Sequence, residues 1–335
     1  MRPARVAIVG CGNVAQMHFE AYSGRPDRVE IVVACDPVPA LREAATSQWG
    51  VRQTVATVDA LLGGDDLDFD IGIVCTPTPV RRAVVEQLAR GGKHLFVEKP
   101  FADNWDEAAA MVDVAGRAGV LIGVNQNFRY HYPFDIAHEY IAAGRIGSVT
   151  SILHQDLMLR QDTGWRTMTR RHAFSVMGVH WFDGLRWMLR DEATAIRAQQ
   201  RSSAAIDCAG ETDITAIATF AGGTIATIVE SFSSPIKRTD TVVIGDRGAL
   251  LLTYAGVTLY DGAGNALERR ETPFAGPRKP EATLVNLELL AAAVGTGTDP
   301  VNSGRDNLRT IALLDAAYQA AETGQTVIPR GLVPA

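Results

Sequence analysis

The feature that most restricts this chain is Gly10-Cys11-Gly12-Asn13-Val14-Ala15, which follows the apolar run Arg5 to Val9 directly and opens a helix-like segment. The first glycine permits a tight turn, the second lets backbone approach a diphosphate with no Cβ in the way, and small Ala15 lets helix pack closely on strand. Anions bind at such a helix N-terminus because its unpaired N–H groups and dipole face them. The turn is therefore read as a dinucleotide cradle, with Gly10, Gly12, Asn13 and Val14 as its contacts. Asp36 follows the next apolar run, Val29 to Cys35, where a carboxylate accepts hydrogen bonds from the adenosine ribose hydroxyls. Its charge repels a 2′-phosphate and favours NAD, while Arg42 on the following segment leaves NADP open.

The same alternation continues. Ile71 to Cys75, His94 to Val97 and Val120 to Val124 read as buried parallel strands, with Val80 to Arg90 and Trp105 to Gly116 as helices between them. Gly63-Gly64, Gly91-Gly92 and Gly119 fall where helix C-caps belong. Residues 1–125 are thus expected to form a doubly wound α/β domain of Rossmann type. Residues 126–335 are expected to form an α+β domain with a mostly antiparallel open sheet. Its strands are Ser148 to Leu159, Thr194 to Ser203, Thr212 to Phe220 and Thr224 to Ser231, with hairpins at Ala221-Gly222-Gly223 and at Gly245 to Gly248. Helices are expected at Tyr132 to Ala143, near Val176 to Leu189, and over Glu281 to Val294 and Arg305 to Thr323; Gly262 to Pro280 reads as a mobile loop.

Composition narrows the function classes. Lys plus Arg number 32 against 38 Asp plus Glu, and no basic tract stands out, so nucleic acid is not an expected partner. The apolar runs fall far short of the roughly 20 residues a membrane helix needs, so no membrane association and a cytoplasmic location are expected. Cys11, Cys35, Cys75 and Cys208 form no CxxC pair and read as reduced, buried filler. His154, Asp156, His172 and His180 follow no metal-ligand spacing, so no metal is expected.

At Phe96-Val97-Glu98-Lys99-Pro100 the pattern becomes specific. Together with Gly10 to Ala15, Thr76-Pro77, Asn125 to Tyr130, Gly178-Val179-His180 and the closing Ser303-Gly304, it resembles the Gfo/Idh/MocA family of nicotinamide-dependent oxidoreductases over nearly the whole chain. The resemblance implies that Thr76, Pro77, Glu98, Lys99 and Asn125 serve the cofactor and that Lys99 also meets the substrate hydroxyl. An ammonium there stabilises alkoxide character as hydride leaves carbon. His180 is the implied acid/base, its imidazole titrating near pH ~6.5; a purely structural histidine beside Met177, Trp181 and Met188 is the alternative. Asp183, on the same helical face, either orients the imidazole or is solvated.

The chain also departs from that family. Many active members carry Asp four residues before this histidine, where Val176 stands here; Arg170-Arg171-His172 replaces a glycine-rich stretch, and Arg81 replaces a histidine. Three readings compete: Lys99 and His180 act alone, His172 or Asp156 replaces the carboxylate, or the protein binds without turnover. Substrate contacts are expected from Lys99, His180 and the stretch Gln155 to His172, through Asp156, Arg160, Trp165 and His172. The resemblance implies a sugar, sugar acid, cyclitol or polyol as substrate. Arg160, Arg166, Arg170 and Arg171 either select an acidic or phosphorylated one or form a solvated basic loop. The rivals to a dehydrogenase are a non-catalytic NAD(H)-binding sensor and a redox-neutral enzyme with tightly bound NAD. Thr224 to Val229, apolar on both alternations, suggests an outer sheet face used in a homodimer or homotetramer.

Overall fold

The computed structural model describes residues 2–64, 66–272 and 279–331, and these fall into two compact units. The first holds the chain up to Asn127 together with Lys279–Leu308. It runs β1 (Ala4–Val9), α1 (Asn13–Tyr22), β2 (Val29–Cys35), α2 (Pro39–Trp49), β3 (Gln53–Val55), α3 (Val58–Leu62), β4 (Ile71–Val74), α4 (Thr78–Arg90), β5 (His94–Val97), α5 (Trp105–Ala118) and β6 (Ile122–Val124). The sheet is wholly parallel in the order β3-β2-β1-β4-β5-β6. Helices cover both faces of such a sheet, so its strands are apolar on both alternations: Val6, Ala7 and Ile8 are all fully buried. The strand order reverses between β1 and β4, and ligands of doubly wound sheets bind outside the carboxyl ends at that point.

The second unit begins at Phe128 and takes in the chain from Arg309 onward. Two short helices, α6 (Phe128–His131) and α7 (Phe134–Ala142), lead into β7 (Val149–Leu159); α8 (Val179–Leu189) follows a π-helical turn at Phe174–Gly178. Then come β8 (Ala193–Arg201), β9 (Asp213–Phe220), β10 (Ile225–Ser231), β11 (Ser233–Gly245), β12 (Gly248–Thr253), β13 (Gly256–Asp261) and β14 (Ala266–Glu271). The eight strands are ordered β14-β13-β12-β11-β7-β10-β9-β8 and pair antiparallel except for β7 with β10. Ile152, Ala226, Ile228, Val243, Leu250 and Leu252 face a helical layer carrying Phe128, Tyr132, Trp181 and Leu185. Both expected hairpins form, β9 to β10 and β11 to β12.

The structure corrects two sequence expectations. Within Gly262 to Pro280, Ala266–Glu271 is an edge strand; both its faces are largely exposed, so it lacks the alternation that marks a half-buried strand, while residues 273–278 lie outside the described residues. Helix α9 (Lys279–Thr296), expected in the second domain, packs in the first unit, where Leu284, Leu287 and Leu290 join Ile71, Ile73 and Phe96. Asn302 fixes this return, accepting from the Val124 amide at 2.7 Å and donating to its carbonyl at 3.0 Å. The final helix, α10 (Gly304–Thr323), gives Leu313, Leu314 and Tyr318 to the second core. Among the described residues, no helix is long and apolar enough to cross a membrane.

Candidate functional site

The glycine turn lies at the end of β1. Gly10 adopts φ +90°, and a Cβ there would meet the Cys75 carbonyl carbon at 3.0 Å, so another residue would be strained and crowded against β4. At Gly12, a Cβ would project into open space, and no side chain caps α1, leaving the first turn available to an anion. Asp36 is buried and shapes this turn: Oδ2 accepts from the Cys11 amide and Oδ1 from the Val38 amide, both at 2.8 Å. Arg42 donates to the carbonyls of Asp36 at 2.7 Å and Pro37 at 3.1 Å. Burial, reinforced by Asp36, pushes the Cys11 thiol up to about 12 and the Cys35 thiol up to about 11. Both thiols stay protonated at neutral pH and are poor nucleophiles.

Across the switch point, Pro77 caps α4 after β4, and Arg81 gathers the neighbouring backbone. Its guanidinium donates to the carbonyls of Thr76 at 2.6 Å, Glu98 at 2.8 Å and Pro100. The residue that replaces a histidine is thus a clamp on the loops after β4 and β5. Glu98 is buried at the end of β5: Oε1 accepts from His18 Nε2 at 2.7 Å and Asn125 Nδ2 at 2.6 Å, and Oε2 from the Lys99 amide at 3.1 Å. Burial alone would raise its pKa, but the partners, led by His18, outweigh it and hold the carboxyl below its ordinary value. Lys99 is half-buried and precedes a cis peptide bond to Pro100.

Around these loops, buried polar atoms lack a hydrogen-bond partner among the described residues: Thr76 Oγ1, Asn125 Oδ1, both ends of the Gln126 amide and Asn127 Oδ1. Orphaned buried polar groups cost about 1–3 kcal/mol each, and a bound polar ligand satisfies them. Open glycine turn, uncapped helix, buried carboxylate and these orphans together fit a dinucleotide.

In the second unit, His180 is buried in the first turn of α8 with its ring stacked on Phe128, centroids 3.8 Å apart. The π-helical turn before it needs Gly178, because a Cβ there would lie 2.0 Å from the Phe174 ring; Val176 is buried in that turn. Asp183 is not solvated: Arg129 donates to it from Nε at 2.6 Å and Nη2 at 2.7 Å, and Thr310 adds a hydroxyl at 3.0 Å. Trp181, the neighbour of His180, donates its indole N–H to Glu230 at 2.9 Å. Glu230 pairs in register with Asp156 across β10 and β7, and both are fully buried. Burial first, then the Asp156 charge, pushes the Glu230 carboxyl well above its ordinary value, and Asp156 accepts the Thr239 hydroxyl at 2.5 Å.

His172 is buried, with Nε2 3.1 Å from Asp162, whose other oxygen accepts from Arg160 at 3.0 and 3.1 Å. Burial opposes the Asp162 charge, yet His172 and Arg160 bring the carboxyl down to about 2. Arg160 and Arg171 are half-buried and each is paired within the chain, Arg171 with Asp315 and lying over the Tyr318 ring. Trp165 is exposed on a 3₁₀ turn, Gly164–Met168, beneath the Arg166 guanidinium. The structure thus joins Arg160 to His172 through Asp162, while Trp181, next to His180 in the chain, bonds Glu230, the cross-strand neighbour of Asp156. Sequence reasoning passed over His18, Arg129 and Glu230. Glu230 had a signal: it occupies the inward alternation set by Ala226 and Ile228, where a carboxylate is out of place.

Residues 4–126 match the Gfo/Idh/MocA oxidoreductase family with its NAD-binding Rossmann fold, and residues 134–251 match the Gfo/Idh/MocA C-terminal domain. A D-apiose dehydrogenase of Paraburkholderia graminis is 31% identical over 96% of this chain and 88% of its own. An inositol 2-dehydrogenase of Rhizobium meliloti is 28% identical over 94% and 96%. Among solved structures, an oxidoreductase from Agrobacterium radiobacter in complex with NAD+, L-tartaric acid and magnesium superposes with TM-score 0.87, at 23% identity over 98% of this chain and 99% of that one. The chain belongs to the Gfo/Idh/MocA family. It is an NAD(P)-dependent oxidoreductase.

Proposed function

We propose that the protein transfers a hydride between NAD and a hydroxyl or carbonyl carbon of a sugar, sugar acid, cyclitol or polyol. The observation that carries this is Lys99, set at the end of β5 by a carboxylate whose oxygens are both engaged within the chain. The named activities of the apiose and inositol dehydrogenases support the substrate class. Gly10, Gly12, Asn13 and Val14 would hold the diphosphate, Asp36 the adenosine ribose, and Thr76, Pro77, Glu98, Lys99 and Asn125 the remainder. Asp36 favours NAD over NADP by charge, and Arg42, already bonded to two carbonyls, is poorly placed to offset it. When bound, the nicotinamide supplies the hydride acceptor or donor.

The Lys99 ammonium donates to the reacting oxygen and stabilises negative charge there as the C–H bond breaks. His180 accepts the hydroxyl proton in oxidation and returns it in reduction, its ring plane fixed by Phe128. Asp156, Arg160, Trp165 and His172 serve the remaining substrate polar groups. With Val176 in place of a carboxylate, the acid/base duty falls to Lys99 and His180, and the hydrogen-bonded His172–Asp162 couple is the available replacement. Leu153, Ile217, Ile225 and Ile244, exposed on the outer sheet face, support a homodimer or homotetramer.

The test is reduced-nicotinamide absorbance with NAD and NADP across sugars, sugar acids, inositols and their phosphates. We expect turnover with NAD, and Lys99→Ala to lower it by about 10²–10⁴-fold while NADH still binds. A Lys99→Ala variant at wild-type rate refutes the assignment. NADH binding with no turnover across the panel favours a sensor, and product without net absorbance change favours redox-neutral chemistry.

A further inference from the structure

Three segments of the first unit meet at one carboxylate, and a fourth reaches it only through a neighbour. Helix α1 brings His18, the loop after β5 brings Glu98 and Lys99, and the end of β6 brings Asn125, whose side-chain amide also donates to Thr283 of α9 at 3.3 Å. His18 is fully buried in the second turn of α1, the helix whose N-terminus forms the glycine cradle. Its Nδ1 lies 2.9 Å from the Tyr22 hydroxyl and its Nε2 2.7 Å from Glu98 Oε1, so both ring nitrogens have fixed partners. Glu98 in turn holds the Lys99 amide, 3.1 Å away on its other oxygen. Phe96, two residues upstream on β5, packs edge-on against the same imidazole, centroids 5.9 Å apart.

We propose that His18 is a positioning residue that ties the cofactor-binding helix to Lys99 through Glu98. A carboxylate buried this deeply keeps a single orientation only while its donors hold it. His18 is the donor that comes from α1, so the register of α1 against the loop after β5 is written into the Glu98 orientation and passed to the Lys99 backbone. His18 itself needs no contact with substrate or cofactor. This inference rests on the reading of Lys99 as the catalytic amine.

The imidazole allows the link to be cut one nitrogen at a time. In His18→Gln the side-chain amide reaches the Nε2 position and keeps a donor on Glu98, while the Tyr22 contact is lost. In His18→Asn the amide reaches the Nδ1 position, keeping Tyr22 and losing Glu98. We expect His18→Gln to stay within about threefold of the wild-type kcat and His18→Asn to fall about 100-fold, since misplacing a reacting group by about 1 Å costs that much. NADH Kd and substrate KM stay within about threefold in both. A purely structural role would lower both variants alike, or move Kd and KM with kcat.

A second readout is independent of turnover. The chain has four lysines, Lys93, Lys99, Lys237 and Lys279, so reductive ¹³C-methylation gives a small set of NMR signals, with Lys99 assigned through Lys99→Arg. The Lys99 signal is expected to shift in His18→Asn and not in His18→Gln. An unmoved Lys99 signal in His18→Asn, or equal kcat losses in the two variants, overturns the proposal. If the wild type turns over no substrate, the dehydrogenase reading fails, and the NMR comparison still decides the role of His18.

Discussion

Arg129→Met tests whether the base of α8 is held by a buried ion pair. Arg129 and Asp183 are each 2% exposed, and the guanidinium makes two charge-assisted bonds to the carboxylate at 2.6 and 2.7 Å. Methionine matches much of the length and keeps contact with Trp187, over which the guanidinium now lies at 4.7 Å. Asp183 would retain the Thr310 hydroxyl at 3.0 Å and Arg186 at 3.9 Å, the latter already bound bidentate to Glu192. Removing one partner of a buried pair costs about 3–5 kcal/mol, and Arg186 places this case near about 3. For a unit of this size each kcal/mol moves Tm by about 2–4 °C, so a drop of about 6–12 °C is expected. The assay is calorimetry with urea midpoints, alongside Arg129→Met/Asp183→Leu, which removes the stranded charge and should recover about 2 kcal/mol. A loss under about 1 kcal/mol in the single variant, or a double variant no more stable than the single, would refute the reasoning.

Two further outcomes follow from the sites. Asp36→Ala should raise kcat/KM for NADP relative to NAD by about tenfold or more, because a unit charge near 4 Å is worth several kcal/mol at a protein surface; an unchanged ratio would remove Asp36 from cofactor choice. Glu230 has a folded pKa raised by burial and by Asp156, so its stabilising contribution is complete below its ordinary value near 4.5 and is lost as pH rises. Glu230→Gln keeps the Trp181 bond, so it should match the wild type at pH 4.5 and exceed it increasingly towards pH 8, read as urea midpoints; parallel pH profiles would sink this.

Local patterns were the legible part. The strand–glycine–helix turn, the alternation of the first 125 residues and both glycine-marked hairpins are short-range features, and each formed where expected. Relations across long separations were not legible. Arg129 and Asp183 meet 54 residues apart and His18 and Glu98 meet 80 apart, and nothing local to either residue names the other. The docking of α9 escaped because an apolar helix carries no label for the core it joins. Strand β14 escaped because an exposed edge has no buried face to impose a period. Asp183 shows the same limit: its helical face was legible, but the guanidinium that buries it comes from α6.

The return of Lys279–Leu308 to the first unit also sets a timetable for synthesis. Residues up to Asn127 leave the ribosome carrying all six strands of their sheet but lacking Leu284, Leu287 and Leu290, which pack with Ile71, Ile73 and Phe96. At roughly 5–20 residues per second the missing helix arrives on the order of ten to thirty seconds later. Throughout that interval the nascent nucleotide-binding half presents an uncovered apolar face, while the whole sheet of the other unit is made. A chain stopped anywhere before α9 keeps every glycine and carboxylate of the cradle, yet it carries a surface suited to chaperones more than to cofactor.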